Sequence, residues 1–403
     1  MVWEVRLLMK KNYTNSFLLN ALHLPVINDF ESLANNIGIS QRLVYLLAND
    51  TKKYYKSFEI PKKNGNLREI KSPLYSLKLV QRWILKEIFE KINVSEEAMA
   101  FKKGPGSGIK KNAEYHKYSL FLLEIDLKDF FTTISIDQVY FLFKSFGYNS
   151  QVSYTLAKLC TYDGYLPQGG VCSPYISNLI CYKLDKRLKG LCSRRDILYT
   201  RYADDLTFSC DNKTILKKNK KIIEEIISNE GFSINPSKTR FLSPASHKKI
   251  TGITVNDNRI KADKALKKKV RAMIHRTVVT GNYDEINIIR GYISYINSIE
   301  DGYKDRISKY INTLIKKEYK YFKNVVTAYN NNKFFKELNS MSFDESLEYN
   351  YNDYDDLENY YKYKKIVDDR KSFLNTLGIV EEELYNPIIE EIAMTQDEDD
   401  NIF

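Results

Sequence analysis

Cysteine is scarce in this chain, and its five cysteines are not spaced like those of a disulfide framework or a zinc site. Their number is odd and no two of them form a Cys-x-x-Cys pair, although such pairing is the usual signature of both kinds of site. The sequence also has no run of 18 apolar residues and no signal-peptide core near its start, which argues against a membrane-spanning helix and against secretion. We therefore expect reduced, mostly buried thiols in a cytoplasmic protein with no membrane partner.

Negative charge is concentrated at one end of the chain. Residues 341–403 carry 18 acidic and 5 basic side chains, and because the whole chain has a formal charge of +11, the first 340 residues carry +24. A strongly basic body favours a polyanionic partner such as nucleic acid. The length of 403 residues and the hydrophobic content of 43% are those of a folded protein with a large core, not of a disordered chain.

Short strands and amphipathic helices are mixed along most of the sequence. Residues 56–70 are predicted to form a hairpin around a tight Asn-Gly turn, and residues 74–92 a helix with one apolar face. Residues 120–131 form a continuous apolar run that is typical of a buried strand, whereas residues 262–318 are helical and basic. This mixture predicts an α+β fold.

Three carboxylates are the most unusual feature of the sequence. Asp204 and Asp205 are adjacent between two strand-like segments, and Asp126 lies near the end of the apolar run that precedes them. An isolated Asp-Asp pair is more often a solvent-facing turn, but three carboxylates that converge at a strand edge repel one another unless they hold cations. Mg²⁺ is the expected ion, and two Mg²⁺ ions about 4 Å apart can activate an attacking 3′-hydroxyl and stabilise a departing pyrophosphate. Such chemistry is that of a nucleic-acid polymerase.

Five segments, taken together, resemble those of reverse transcriptases in their order and spacing. They are IPKKNGNLREI (60–70), IDLKDFF (125–131), LPQGGVCSP (166–174), YADD (202–205) and INPSKT (234–239). The resemblance runs from about residue 27 to residue 318 and implies a right-hand polymerase fold of fingers, palm and thumb. It divides the chain into an N-terminal helical region (1–55), fingers (56–118), a palm interleaved with fingers segments (119–258), a helical thumb (259–318) and an acidic, tyrosine-rich C-terminal extension (319–403).

Within that superfamily the sequence is most similar to the reverse transcriptases of bacterial retrons. The segments that carry this likeness are NAEYH (112–116), LICYKLDKRL (179–188), LYTRYADDLT (198–207) and RGYISYI (290–296). Two positions depart from the family pattern. Ile250 precedes Thr251-Gly252 where these enzymes have Val-Thr-Gly, and Gly170 stands where they usually have Ala.

The resemblance implies a role for individual residues. Asp126, Asp204 and Asp205 would bind the two Mg²⁺ ions, with the carbonyl group of Leu127 as a further ligand, and Lys238 would protonate the pyrophosphate. The other implied contacts are with the incoming nucleotide or template for Arg68, Lys62, Phe131 and Gln168, and with RNA for Asn112, His116, Thr251, Gly252, Lys268 and Arg271. Phe131 resembles the steric gate that excludes a ribose 2′-hydroxyl. In an unrecognised sequence, such an aromatic or histidine is more often a structural residue.

As in retrons, the enzyme would copy part of a structured non-coding RNA, which serves as template and primer, into single-stranded DNA. Synthesis would begin at the 2′-hydroxyl of a guanosine and leave a branched RNA–DNA molecule. The likeness also implies defence against bacteriophage together with a separate effector protein. Two alternatives stay open, namely another prokaryotic reverse transcriptase without a branched product, and a non-catalytic RNA-binding scaffold. The extension at 319–403 is either a solubilising tail or a segment that docks an effector or folds over the basic groove as a nucleic-acid mimic.

Overall fold

The computed structural model describes residues 13–317 apart from 62–64, 66 and 281, together with residues 365, 368, 369 and 372. The predicted substrate-binding residue Lys62 and nearly all of the extension at 319–403 lie outside the described residues. The chain divides into two units, Met1–Ile260 and Lys261–Phe403.

The first unit contains helices and strands in alternation, and the second contains helices. The helices of the first unit are α1 (Ser16–Ala21), α2 (Phe30–Ile37), α3 (Gln41–Asn49), α4 (Tyr75–Glu87), α5 (Ile109–Tyr115), α6 (Phe130–Thr133), α7 (Ile136–Phe146), α8 (Ser150–Cys160), α9 (Ser173–Ile180), α10 (Tyr182–Ser193) and α11 (Lys213–Asn229). Its strands are β1 (Tyr55–Pro61), β2 (Leu67–Pro73), β3 (Phe121–Lys128), β4 (Leu198–Tyr202), β5 (Asp205–Cys210), β6 (Ser233–Ile234), β7 (Arg240–Leu242), β8 (Lys249–Ile250) and β9 (Ile253–Asn256), and β10 (Arg259–Lys261) ends at the unit boundary. The second unit contains α12 (Lys264–Thr280), α13 (Ile286–Ile299) and α14 (Tyr303–Lys317).

A five-stranded sheet forms the centre of the first unit. Its strand order is β4-β5-β3-β6, and β7 pairs with the same edge of β3 as β6 does. The apolar run predicted as a buried strand is β3, whose residues Leu122, Leu123 and Ile125 are buried. Helix α11 packs against β3, β5 and β6 and ends just before Gly231, whose φ of +86° reverses the chain. Helix α11 therefore covers one face of the sheet. A region at the edge of the sheet stays available for a functional site.

Other sequence predictions are also confirmed by the described residues. The hairpin appears as β1 and β2, which pair in antiparallel register from Tyr55 with Pro73 to Pro61 with Leu67. The apolar face predicted for α4 is buried, and all five cysteines are free and buried. Desolvation raises the pKa of the Cys181 thiol to about 12, so it stays protonated near neutral pH.

The second unit is built on the amphipathic pattern expected for 262–318. Val270 and Ile274 of α12 are buried, together with isoleucines of α13 and α14 such as Ile289 and Ile307. Lys268 and Arg271 stay exposed on α12. Among the described residues, no helix is both long enough and apolar enough to span a bilayer.

Candidate active site

The hairpin of β4 and β5 brings the predicted carboxylates to one end of the sheet. Asp205 is the direct antiparallel partner of Asp126 on β3, and paired residues of neighbouring strands project from the same face. Asp204 lies in the turn, where Ala203 has a φ of +58° and the amide of Leu127 donates a hydrogen bond of 2.9 Å to the Asp204 carbonyl oxygen. Asp126, Asp204 and Asp205 therefore converge, as the sequence predicts.

Basic and amide side chains offset part of this negative charge. Lys238 Nζ lies 2.8 Å from Oδ2 of Asp126, and Asn235 Nδ2 donates a 3.2 Å hydrogen bond to Oδ1. The hydrogen bond to Asp126 raises the pKa of Lys238, which therefore remains a cation. Burial raises the pKa of Asp204, and burial together with the charges of Asp204 and Asp126 raises the pKa of Asp205 to about 7. Protein cations alone thus leave the site short of positive charge.

The donor atoms fit a hard divalent cation, since Mg²⁺ prefers carboxylate oxygens at an open site that also admits water and phosphate. Within the described part of the chain, no three acidic, histidine or cysteine side chains are already arranged to hold a metal ion. Both oxygens of Asp126 are instead paired with Lys238 and Asn235. Each of these oxygens accepts one hydrogen bond and keeps a second lone pair, with which Asp126 can share a metal ion with its neighbours.

The residues expected to contact the incoming nucleotide lie on three different elements of the first unit. Phe131 is half-buried on α6, with its ring 5.3 Å from that of Phe130 and 6.3 Å from that of Phe101. Arg68 is exposed on β2, and its charge helps to lower the pKa of Asp204 against the effect of burial. Gln168 is half-buried, and its carbonyl oxygen accepts a 2.7 Å hydrogen bond from the amide of Lys71. This bond ties the turn before α9 to the β1–β2 hairpin.

Two glycines allow this turn to pack closely. Gly169 has a φ of +110°, and a Cβ atom there would lie 2.8 Å from the Lys71 carbonyl oxygen. At Gly170, where related sequences usually have alanine, a Cβ atom would lie 2.5 Å from Ser173 Oγ and 2.9 Å from Pro167 Cγ. The departure at Gly170 therefore has a local packing reason.

A buried ion pair behind the carboxylate turn was not recognised from sequence. Arg201 of β4 and Asp185 of α10 are fully buried, and Arg201 donates from Nε and Nη2 to the two Asp185 oxygens at 2.8 and 2.7 Å. Arg201 Nη1 also donates to Asn178 Oδ1 at 3.0 Å and to the carbonyl oxygen of Ala203 at 3.3 Å. The only sequence signal was a pair of opposite charges within otherwise apolar patterns.

The structure places Asn112 and His116 in the interior, where neither presents a surface to RNA. His116 hydrogen-bonds through Nδ1 to Ser209 Oγ and through Nε2 to Thr200 Oγ1, both at 2.7 Å. Thr200 Oγ1 donates to Asn112 Oδ1 at 2.5 Å. Burial lowers the pKa of His116 to about 3. These hydrogen bonds hold α5 against the sheet. The buried positions of Asn112 and His116 therefore do not support the expected direct contact with RNA.

Thr251 and Gly252 lie in the turn between β8 and β9 and line an open pocket beside Asp126 and Asp205. The pocket has a volume of about 450 Å³. Its lining also includes Lys238 and three residues of the sheet face and its edge, Glu124, Thr207 and Arg240.

Comparisons with known proteins agree with this geometry. Residues 60–255 match the profile of the family described as "Reverse transcriptase (RNA-dependent DNA polymerase)". The chain is 36% identical to the retron Ec86 reverse transcriptase of Escherichia coli over 76% of this chain and 95% of that protein. It is 30% identical to the retron Mx65 reverse transcriptase of Myxococcus xanthus over 71% of this chain and 72% of that protein. A third relative, the retron Mx162 reverse transcriptase of the same species, is 34% identical over 58% of this chain and 54% of its own length.

Proposed function

The chain belongs to the retron reverse transcriptases and is an RNA-directed DNA polymerase, and from this premise we propose that it makes a branched RNA–DNA product. It copies part of a dedicated non-coding RNA into single-stranded DNA, beginning at the 2′-hydroxyl of a guanosine in that RNA. The observation that carries the proposal is the pairing of Asp126 with Asp205 next to Asp204, in a chain similar to retron enzymes along most of its length.

Enzymes of this family use a divalent metal ion, and we assign two Mg²⁺ ions to Asp126, Asp204 and Asp205, with the Leu127 carbonyl oxygen as a further ligand. When bound, the metal favours ionisation of the attacking hydroxyl and neutralises charge on the departing pyrophosphate. The protein positions the reactants. A new bond joins the attacking oxygen to the α-phosphorus, the bond from the α-phosphorus to its bridging oxygen breaks, and the hydroxyl proton passes to solvent.

Four further residues are assigned to the incoming nucleotide or template. Arg68 and Lys62 bind the triphosphate, Gln168 contacts the nucleotide or the template base, and Phe131 closes the space that a ribose 2′-hydroxyl would need. Lys238 protonates the pyrophosphate. This assignment to Lys238 is supported by its position against Asp126 and by its raised pKa, which keeps a proton available.

We assign contacts with the RNA partner to residues in both units of the chain. In the first unit Thr251 and Gly252 contact it from the turn between β8 and β9, while Asn112 and His116 act by holding α5 in place. In the second unit Lys268 and Arg271, both exposed, bind phosphates. The fingers, palm and thumb occupy residues 56–118, 119–258 and 259–318, after a helical region at 1–55.

We also assign the enzyme to defence against bacteriophage in the cytoplasm, together with a separate effector protein that the RNA–DNA complex restrains or activates. The segment 319–403, which lies outside the described residues apart from four positions, is the candidate docking segment for that effector. Its acidic character suits a basic partner surface.

Expression of the chain with its flanking DNA in bacteria tests the proposal. Nucleic acid that copurifies is examined on a denaturing gel with and without ribonuclease and debranching enzyme, beside an Asp204→Asn variant. A discrete single-stranded DNA that shifts after both treatments and is absent from the variant supports the branched product. DNA without a branch would instead favour another type of reverse transcriptase, and RNA alone with no effect of Asp204→Asn would favour a scaffold.

A further inference from the structure

The face of the central sheet that carries the carboxylates continues into a second polar row. Glu124 lies two residues before Asp126 on β3, and Thr207 two residues after Asp205 on β5, so all four side chains share one face. Glu124 pairs in register with Thr207 on one side and with Arg240 of β7 on the other. The second row therefore lies about 7 Å from the catalytic row, at two residues of strand rise.

This second row forms the floor of the pocket beside Asp126 and Asp205. Arg240 Nη2 lies 2.8 Å from Glu124 Oε2, and Arg240 keeps most of its side chain exposed. Ser237, Lys249 and Thr251 line the same pocket. Thr251 Oγ1 is buried and has no hydrogen-bond partner within the described part of the chain, so it is a polar atom whose partner is left unassigned at the pocket wall.

The retron-like elements build the far wall of this pocket. Helix α5 packs against β4, β8 and β9, and it is held there by the hydrogen bond between His116 and Thr200 and by the one that Thr200 donates to Asn112. Thr200 is the register partner of Thr207. The segment 112–116, which sequence analysis linked to RNA, thus supports the strands that form the wall. Thr251 and Gly252 line the pocket itself.

The position of the pocket identifies the reactant that it admits. Arg68, Phe131 and Gln168, assigned to the incoming nucleotide or template, are absent from its lining, whereas Lys238, assigned to the pyrophosphate, lines it beside Asp126. In an in-line displacement the attacking oxygen enters opposite the leaving group. The part of the pocket next to Lys238 therefore belongs to the leaving group, and the second row, about 7 Å from the catalytic row, is the part that can hold the nucleotide with the attacking hydroxyl.

A priming 2′-hydroxyl differs in charge from an ordinary primer end. An internal ribonucleotide that attacks through its 2′-oxygen keeps a phosphodiester on its 3′-oxygen, whereas a primer terminus with a free 3′-hydroxyl has none. That extra negative charge needs a cation, and the planar guanidinium of arginine matches phosphate oxygens in a two-bond arrangement.

We propose that this pocket seats the priming ribonucleotide of the RNA, and that Arg240, oriented by Glu124, binds the phosphate on its 3′ side. The proposal rests on the proposed function, because it requires priming from an internal 2′-hydroxyl. Arg240 is then a specificity-determining residue for initiation and contributes much less to later elongation from a 3′-hydroxyl.

The test compares two reactions of the full chain. One is initiation on the cognate RNA, measured as branched product, and the other is extension of an annealed DNA primer on an RNA template. Arg240→Gln and Glu124→Gln should reduce initiation roughly tenfold to a hundredfold more than extension, as expected for loss of a charged hydrogen bond. Arg194→Gln, which removes an exposed arginine that does not line the pocket, is the matched control and should affect the two reactions equally.

A change in the RNA makes the test specific for the phosphate. Replacement of the linkage 3′ of the priming guanosine by a neutral methylphosphonate should reduce initiation by the unmodified enzyme and cause little further loss in Arg240→Gln, because both changes remove the same contact. Additive losses, or equal losses of initiation and extension, would overturn the proposal. A wild-type enzyme that extends primers but forms no branch would refute the proposed function and this inference together.

Discussion

Replacement of His116 should change the pH dependence of stability more than any other single histidine substitution in the first unit. The His116 imidazole is fully buried between Ser209 and Thr200, and burial lowers its pKa to about 3. In the unfolded chain a histidine titrates near 6.5. Between these two values the unfolded state binds a proton that the folded state does not.

The sign and size of the effect follow from this difference. The stability that neutral His116 provides is fully present above about pH 6.5 and falls as the pH is lowered, by roughly 1.4 kcal/mol per pH unit until the folded pKa is reached. From pH 7 to pH 5 the loss is about 2 kcal/mol. A His116→Asn variant loses hydrogen bonds at every pH but no longer carries this titration.

Urea unfolding at several pH values between 5 and 7, followed by far-ultraviolet circular dichroism, measures the effect. The difference in unfolding free energy between wild type and His116→Asn should shrink by about 2 kcal/mol on going from pH 7 to pH 5. Contributions from the carboxylates cancel in that difference. His247→Gln, at an exposed histidine of the same unit, is the matched control for removing a histidine from the surface. A difference for His116→Asn that stays constant with pH would show that His116 is not held neutral in the interior.

Four further predictions follow from the described contacts. Arg201→Met leaves Asp185 buried without its cation and should cost about 3–5 kcal/mol in urea unfolding; a loss no larger than that of the exposed control Arg194→Met would contradict the ion-pair geometry. Gly169→Ala should lower DNA synthesis, because its Cβ atom meets the Lys71 carbonyl oxygen at 2.8 Å and the φ of +110° is strained for alanine; unchanged primer-extension kinetics would count against the close approach. Phe131→Ala should admit ribonucleotides, seen as a raised ratio of ribonucleotide to deoxynucleotide incorporation, and an unaltered ratio would remove Phe131 from the gate. Deletion of 341–403 should abolish effector association or alter RNA affinity, and normal behaviour in both binding assays would remove the docking role.

The parts of the fold that depend on local pattern were predictable from sequence. The strand at β3 follows from a continuous apolar run, and the β4–β5 hairpin follows from two strand-like segments around an acidic pair. Because strand pairing brings sheet ends together, the convergence of Asp126 with Asp204 and Asp205 could be predicted before any coordinates. The glycine-rich turn before α9 was also visible, although its close contact with Lys71 was not.

The parts that depend on long-range contacts were not predictable. Arg201 and Asp185 are close in sequence, yet their burial depends on how α10 packs on β4. The periodicity of a sequence does not show how deeply a charged residue is buried. Similarly, Asn112 and His116 were linked to RNA as motif residues, and the pattern did not show that their side chains point towards the sheet. In both cases buried polar groups pair with one another, which is the usual condition for burying them, although Asn112 Nδ2 has no hydrogen-bond partner among the described residues.

The carboxylate cluster and the buried Arg201–Asp185 ion pair differ in whether protein groups balance their charge. Arg201 and Asp185 are both fully buried and neutralise one another through paired hydrogen bonds, so that site is complete without any further ion. Burial, followed by the charges of neighbouring carboxylates, raises the pKa of Asp204 and Asp205, and the opposing charges of Lys238 and, at Asp204, Arg68 do not cancel that effect. A site that is short of positive charge gains stability when a divalent ion binds, and the same deficit gives that ion its affinity. The repulsion among the three carboxylates is therefore the property that equips the site for phosphoryl transfer.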